Sequence, residues 1–248
     1  MSGWRSDAEL AARLATRTGE LLVAMRRSGA HNGHALGDAA DRAADDLVLA
    51  ALAAERPDDA VLSEETPDDG SRVHARRVWI IDPLDGTREY REGSDDWAVH
   101  IGLAVDGEAV AGAVALPALG RTYVSHPPAV VPPATAGRPR LLVSRTRPPA
   151  FAAVVAASVG ADLDAIGSAG AKAMAVVAGA ADAYLHAGGQ HEWDSAAPVA
   201  VALAAGLHAS RVDGSPLRYN QPDPFVADLL ICRPALAAAL IAAIAAAR

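Results

Sequence analysis

Apolar residues recur at helical spacing near the start of the chain. Leu10, Leu14 and Leu21 fall on one helix face, which predicts a long amphipathic helix over residues 7–27. The segment 6–9, with a serine followed three residues later by a glutamate, has the form of a capping box and predicts the start of this helix.

A polar segment separates this helix from a second apolar stretch. Residues 29–37 contain Gly, Asn and His and predict a loop, and the pattern that follows predicts a helix over residues 38–55. A Pro-Asp turn then leads into a short predicted strand over residues 60–63, which ends at two glutamates.

The next part of the chain has the pattern of a sheet. Residues 77–81 are apolar on both faces and predict a fully buried strand, which Asp82-Pro83 is expected to end. Residues 97–105 and 109–116 predict antiparallel strands joined by an Asp-Gly hairpin turn, and Tyr123-Val124 extends the sheet.

Residues 127–139 contain five prolines and show no periodicity, so we take them as the connection between two halves, 1–126 and 140–248. The second half alternates between strands and helices, a pattern typical of layered α and β structure. Its predicted strands are at residues 140–144, 164–167, 183–186, 208–211 and 229–232, and its predicted helices are at 149–159, 169–178, 195–205 and 235–247.

Composition narrows the class of protein. Hydrophobic residues make up 51% of the 248 and charged residues 21%, which is enough apolar material for a large core. The formal net charge of −8 argues against binding a nucleic acid polymer. A single cysteine, Cys232, excludes an internal disulfide. The last apolar run is too short to cross a membrane and no leader pattern is visible, so a cytoplasmic protein is expected.

The segment from Asp82 to Thr87 carries the strongest chemical signal. Asp82 and Asp85 flank a turn that Pro83 restricts, and carboxylate and carbonyl oxygens are the ligands that hard divalent cations prefer. Gly86-Thr87 then opens a short helical turn, where backbone amides favour an anion. Asp-Pro and Asp-Gly pairs are also common turn residues, so this segment alone does not decide between the two interpretations.

Other acidic residues recur where ordinary structural roles are common. Asp38, Asp41 and Asp45 share one face of the second predicted helix, as helix-capping or surface carboxylates often do. Glu64-Glu65 ends a strand, and Asp194 precedes an alanine-rich helix as an N-cap would.

A loop of small residues, 167–170, precedes a helix that carries Lys172. It fits either a second anion site or an ordinary helix start. The histidines show no spacing typical of metal ligands.

Taken together, these motifs resemble the inositol monophosphatase family of metal-dependent phosphatases. Residues 81–87 resemble its first signature, 193–197 its C-terminal signature and 63–65 its Glu-Glu element. Asp41, which lies 64 − 41 = 23 residues before Glu64, fits the family's helix aspartate. The resemblance implies an α+β fold, a layered α/β/α/β/α sandwich.

Within the family, the chain is most similar to the CysQ branch of 3′-phosphoadenosine 5′-phosphate phosphatases, actinobacterial members in particular. The residues that carry this similarity are 61–65, 82–90, 167–172 and 217–220. The resemblance implies hydrolysis of 3′-phosphoadenosine 5′-phosphate, and of its 5′-phosphosulfate, to AMP and phosphate in sulfur assimilation. It also implies lithium inhibition and a homodimer.

The resemblance further implies two or three Mg²⁺ ions. The implied ligands are Glu64, Asp82, the Leu84 carbonyl, Asp85 and Asp194. Bound cations would reverse the local negative charge, lower the pKa of a bound water and stabilise the leaving alkoxide.

The resemblance assigns the remaining roles to a few residues. Thr87, hydrogen-bonded to Asp41, is implied to orient and deprotonate the attacking water. The expected substrate contacts are Gly86, Thr87, Ser168, Lys172 and Asp194.

Two departures from the family pattern bear on the substrate. Ala187 stands seven residues before Asp194, where inositol-specific members carry a glutamate, which argues against inositol phosphate. Asp38 stands where many relatives have Ser or Thr. A broader sugar phosphatase acting on fructose 1,6-bisphosphate or inositol 1-phosphate is the alternative.

Two further alternatives use the same residues differently. Aspartyl-phosphate phosphatases need an acid two residues before the aspartate of their Asp-Gly-Thr, and Pro83 stands there. A non-enzymatic nucleotide sensor would have lost a ligand or Thr87, and all of these residues are present.

Overall fold

A computed structural model describes residues 3–134 and 136–248. Over those residues the chain forms seven α-helices and ten β-strands. The helices are α1 (Gly3–Ser28), α2 (Gly33–Glu55), α3 (Thr87–Arg91), α4 (Ala152–Ser158), α5 (Ala169–Val177), α6 (Glu192–Ala204) and α7 (Pro234–Ala247). The strands are β1 (Ala60–Ser63), β2 (Arg77–Asp85), β3 (Ala98–Val105), β4 (Glu108–Leu116), β5 (Arg121–Val124), β6 (Arg140–Ser144), β7 (Asp162–Ile166), β8 (Ala183–His191), β9 (His208–Ser210) and β10 (Phe225–Cys232).

The strands form two five-stranded sheets, one from each half of the chain. The first has the order β1-β2-β3-β4-β5, with β1 parallel to β2 and the other pairs antiparallel. The second has the order β7-β6-β8-β10-β9, in which β6 runs parallel to both neighbours. Its other two pairs are antiparallel.

Three apolar cores join these sheets and the helices into five layers. One core lies between the first sheet and the helices α1 and α2, and another lies between the second sheet and α4 and α7. The middle core packs α5 and α6 between the two sheets; it includes Ile80 from the first half and Met174 and Val199 from the second. The predicted α/β/α/β/α sandwich is therefore confirmed, whereas the division into halves at residues 127–139 stays a prediction.

Two predictions at the N-terminus were wrong. Helix α1 already includes Gly3, so the residues of the expected capping box lie inside the helix. There Ser6 and Asp7 accept hydrogen bonds from Arg56 instead. Helix α2 begins at Gly33 rather than near Asp38, because Asn32 takes the extended N-cap conformation and Leu36 adds a buried position one turn earlier.

The prediction that Asp82-Pro83 ends its strand was also wrong, since β2 continues to Asp85. Asp82 pairs with His100 and Asp85 pairs with Ala98, so β2 has one more residue than β3 between these pairs. This is a β-bulge, and a proline is tolerated there because the bulge requires no ladder hydrogen bond from its nitrogen.

The remaining elements lie where the sequence pattern predicts them, but the two elements next to the C-terminal signature are longer than predicted. Strand β8 extends to His191 and helix α6 begins at Glu192, three residues earlier than expected. Over the described residues, we find no helix that combines the length and the apolar character needed to cross a membrane.

Candidate active site

The bulge in β2 directs two aspartates to one side of the sheet. In a regular strand, residues three apart point to opposite faces, but one extra residue in a bulge reverses that relation. Asp82 and Asp85 are both buried, and the Oδ1 atom of Asp82 accepts a hydrogen bond from the Leu84 backbone nitrogen at 3.1 Å. The bulge thus ends the regular apolar part of β2 and places the two carboxylates side by side.

A third carboxylate comes from the start of α6. Asp194 is the third residue of this helix, not its N-cap, and its Oδ2 atom accepts a hydrogen bond from the His191 backbone nitrogen at 2.6 Å. One oxygen from each of Asp82, Asp85 and Asp194 lies within 4.8 Å of the others. Acidic residues that are more than 100 positions apart in the sequence therefore converge, as the sequence analysis required.

The fourth predicted side-chain ligand, Glu64, follows β1 at the rim of the same cleft. The residue is exposed overall, but its carboxyl lies beside Asp82. Desolvation and the charge of Asp194 raise the pKa of Glu64 to about 7. Burial and the charges of Glu64 and Asp85 raise the pKa of Asp82 well above its usual range. Such mutual repulsion is relieved by a cation, and an all-oxygen donor set fits a hard divalent ion.

Thr87 begins helix α3, directly after the bulge. Its hydroxyl donates its one proton to the Leu84 carbonyl at 3.1 Å rather than to Asp41, whose carboxyl on α2 lies beside this hydroxyl and has its pKa lowered by that contact. The close approach of the two helices depends on Gly37, where an added Cβ would lie 2.8 Å from the Arg91 side chain. Burial, together with Glu65 and Asp38, nevertheless raises the pKa of Asp41 to about 7, a value suited to proton transfer near neutral pH.

The carboxylates line a cleft with a cavity volume of about 250 Å³. Predicted contacts Gly86, Ser168 and Lys172 also line it. Burial lowers the pKa of Lys172 to about 8, and its ammonium donates to the carbonyls of Gly167 and Ser168. Further polar and charged residues of the lining are Arg88, Glu89, Ser144, Thr146, Arg147, Tyr184, His186 and Gln190.

One residue of the site, His100, was not predicted from the sequence. It lies fully buried in β3, with Nε2 3.3 Å from Asp85 Oδ2. Burial opposes ionisation of both groups, but the contact with Asp85 raises the pKa of His100 and holds the pKa of Asp85 well below its usual range. A histidine in the middle of an otherwise apolar strand was the available signal, but it became informative only when the bulge placed Asp85 beside it.

Comparisons with known proteins agree with this architecture. The profile of the inositol monophosphatase family matches residues 6–128 and 137–248. Among solved structures, CysQ from Bacteroides thetaiotaomicron superposes with a TM-score of 0.79 at 26% identity, covering 93% of this chain and 98% of its own. An inositol monophosphatase from Zymomonas mobilis superposes with a TM-score of 0.80 at 23% identity, covering 99% of this chain and 100% of its own, which shows a shared fold.

Two relatives with higher sequence identity than these structures have names that specify an activity. A Mycobacterium leprae protein named 3′-phosphoadenosine 5′-phosphate phosphatase is 54% identical over 253 residues, covering 96% of this chain and 93% of the relative. The Escherichia coli K12 protein named 3′(2′),5′-bisphosphate nucleotidase CysQ is 33% identical over 203 residues, covering 76% of this chain and 81% of the relative. On the family match and these identities, the chain belongs to the inositol monophosphatase family.

Proposed function

We propose that this chain is a Mg²⁺-dependent phosphomonoesterase that hydrolyses 3′-phosphoadenosine 5′-phosphate to AMP and phosphate. The observation that carries the proposal is the convergence of Asp82, Asp85 and Asp194 in one cleft. The choice of substrate is supported by the name of the 54% identical relative. It is also supported by Ala187, which offers no carboxylate to the hydroxyls of an inositol phosphate.

The side chains of Glu64, Asp82, Asp85 and Asp194 and the Leu84 carbonyl would hold the cations. Bound divalent ions supply an acidified water as nucleophile and neutralise charge on the phosphate and the leaving oxygen. Without them, the cluster of carboxylates would repel a phosphate dianion. The number of ions and the preference for Mg²⁺ are part of the proposal.

Thr87 and Asp41 act on the attacking water. Thr87 orients the water and takes its proton while passing its own to Asp41, which accepts it in the ionised form and has a pKa of about 7. The water oxygen bonds to phosphorus as the bond from phosphorus to the ribose 3′ oxygen breaks. That oxygen takes a proton from a solvent water and leaves as the 3′-hydroxyl of AMP, and the proton held by the enzyme returns to solvent. No covalent phosphoenzyme is formed in this scheme.

The rest of the cleft offers contacts for the nucleotide. The predicted contacts Gly86, Thr87, Lys172 and Asp194 line the cavity together with Ser168. Arg88 and Arg147 add two exposed cations to the lining, and guanidinium groups suit the second phosphate of a bisphosphate. An enzyme that binds both phosphates should act less well on substrates that carry a single phosphate.

The test is a comparison of kcat/KM on 3′-phosphoadenosine 5′-phosphate, fructose 1,6-bisphosphate and inositol 1-phosphate, each with Mg²⁺. We expect the nucleotide to be hydrolysed with the highest kcat/KM. An equal or higher value on inositol 1-phosphate or fructose 1,6-bisphosphate would instead support the broader sugar phosphatase.

Asp85→Asn is the control for the chemistry in this comparison, because it keeps the side-chain shape and removes a ligand charge. It should abolish turnover of every substrate while circular dichroism shows a folded protein. A phosphate trapped covalently on Asp85 would overturn the water mechanism. The homodimer, lithium inhibition, activity on the 5′-phosphosulfate and cytoplasmic location stay predictions.

A further inference from the structure

One oxygen of Asp85 receives polar contacts from two separate elements of the fold. Asp85 Oδ2 accepts hydrogen bonds from the Ser168 hydroxyl and from the Gly170 backbone nitrogen, the latter at 2.7 Å. His100 Nε2, from β3, lies 3.3 Å from the same oxygen without hydrogen-bond geometry, and it has no hydrogen-bond partner within residues 3–134 and 136–248. A carboxylate oxygen has room for about two such donors, so Oδ2 is fully engaged by the protein.

The position of the His100 ring is fixed on its other side. Nδ1 lies 3.0 Å from the carbonyl oxygen of Trp193, the residue before Asp194. Gly170 leaves the space for this ring, because an added Cβ there would lie 2.2 Å from His100 Nε2. The ring therefore spans the distance between Asp85 and the backbone that carries the third carboxylate.

The backbone of Ser168 also indicates a specific role for its side chain. Its φ angle is +53°, a region that costs free energy for any residue other than glycine. Its hydroxyl donates its one proton to Asp85 and accepts a hydrogen bond from the Ala171 nitrogen at 2.9 Å. That proton is not available to a phosphate, which offers only acceptors.

We infer that Ser168, His100 and the Gly170 amide are positioning residues for Asp85. They hold Oδ2 and leave Oδ1 as the single oxygen that Asp85 offers to a cation. For Ser168 this is a different role from the nucleotide contact predicted from the sequence. The inference rests on the proposed function in one respect, the use of Asp85 as a metal ligand.

Three variants separate the contacts. Ser168→Ala removes one donor to Asp85. His100→Asn keeps a donor at the Nδ1 position, toward Trp193, and loses the one toward Asp85, whereas His100→Gln keeps a donor at the Nε2 position. Ser210→Ala removes a buried hydroxyl in β9, which donates to the Arg211 carbonyl at 2.7 Å, and serves as the matched control.

The measurement is the dissociation constant for Mn²⁺ or Mg²⁺ by calorimetry, without substrate, together with kcat and KM for the nucleotide. We expect Ser168→Ala and His100→Asn to weaken cation binding by on the order of ten- to a hundredfold, as loss of a ligand's supporting contact does. His100→Gln should recover most of the affinity, and Ser210→Ala should bind like the unaltered protein. Thermal unfolding in EDTA confirms that each variant folds.

Two outcomes would overturn the inference. In the first, Ser168→Ala binds cations normally and only the KM for the nucleotide rises, which would make Ser168 a substrate contact. In the second, Asp85→Asn binds cations as tightly as the unaltered protein, so that Asp85 is not a ligand. The ranking of substrates by kcat/KM remains a separate measurement, so failure of this inference and failure of the proposed function are distinguishable.

Discussion

Asp82 and Asp85 lie three residues apart on one strand, and their pKa values shift in opposite directions. Both are buried, which by itself raises the pKa of a carboxyl group. The charges of Glu64 and Asp85 disfavour ionisation of Asp82, whereas His100, Lys172 and a serine hydroxyl favour ionisation of Asp85. The ionised form of Asp85 is therefore favoured by its neighbours even without a cation, whereas the neighbours of Asp82 disfavour its ionised form.

Replacing Thr87 by alanine tests the proposed activation of water. If Thr87 orients the nucleophile, Thr87→Ala should lower kcat by about 10²–10⁴-fold, the range typical of lost general acid–base assistance. The dissociation constant for Mg²⁺ should change little, because the side chain of Thr87 is not among the proposed ligands. Steady-state kinetics and calorimetry on the same preparation provide both values.

Serine at position 87 is the matched control, since it restores the hydroxyl without the methyl group. It should recover most of the lost rate. Thr16→Ala removes a threonine hydroxyl on the surface, where it bonds Thr122 at 2.8 Å, and should leave kcat unchanged. A Thr87→Ala enzyme with normal kcat would remove Thr87 from the mechanism.

At the scale of elements, the sequence predicted most helices and strands but not the details that assemble the site. Periodicity identified β2 and α6 because their apolar faces are continuous. It could not locate the bulge at Pro83, because Asp-Pro is typical of a strand end or a turn. It also could not predict the buried contact between His100 and Asp85. Both features depend on the register between β2 and β3, which the pattern of residues within a single strand does not specify.

Helix α6 approaches the first sheet so closely that a side chain at one strand position would collide with it and a side chain at a second would have little room. An added Cβ at Gly102 would lie 2.8 Å from the Ala197 backbone nitrogen, and one at Gly112 would lie 3.1 Å from the Ala197 Cα. The helix backbone cannot yield as a flexible side chain would. This contact sets the height of α6 above the sheet and so the position of Asp194 at its start.

We therefore expect Gly102→Ala to destabilise the protein by roughly 1–3 kcal/mol, the usual cost of overpacking a core. Cation affinity should also fall, because α6 must move and Asp194 moves with it. Gly112→Ala, with the longer contact, should have a smaller effect on both. Urea unfolding without metal and calorimetry with Mg²⁺ measure the two effects, and equal stability of all three proteins would show that the helix is free to shift.

The site lies in a cleft that residues from both sheets line. Asp82 and Asp85 come from β2 in the first sheet, Glu64 directly follows β1, and Asp194 comes from the helix between the sheets. Ser168, in the second half of the chain, donates a hydrogen bond to Asp85. Family motifs in the sequence predicted these acidic residues as ligands because each signature is local. Their convergence depends on the five-layer packing, which no single motif contains.

Without metal, this site makes stability depend on pH. The pKa values of Glu64 and Asp41 are about 7 in the folded protein, above their usual values of 4.5 and 3.8, so the folded state binds protons more tightly than the unfolded chain. That contribution to stability is present at low pH and is lost as pH rises toward 7. We expect the Tm of the metal-free protein to fall between pH 5 and pH 7.5.

Cations should cancel the part of this trend that comes from the ligand Glu64, since they replace the proton on its carboxylate. If binding displaces one proton, cation affinity rises about tenfold for each pH unit up to the carboxylate pKa. At a fixed Mg²⁺ concentration above the dissociation constant, this adds about 1.4 kcal/mol of stabilisation per pH unit. For a chain of this length that corresponds to a gain in Tm of roughly 3–6 °C per pH unit. Scanning calorimetry at pH 6 and 7, with and without Mg²⁺ and with NaCl at matched ionic strength, measures it. A Tm gain that is equal at both pH values, or that NaCl reproduces, would mean that the cations do not bind where Glu64 and Asp82 hold their protons.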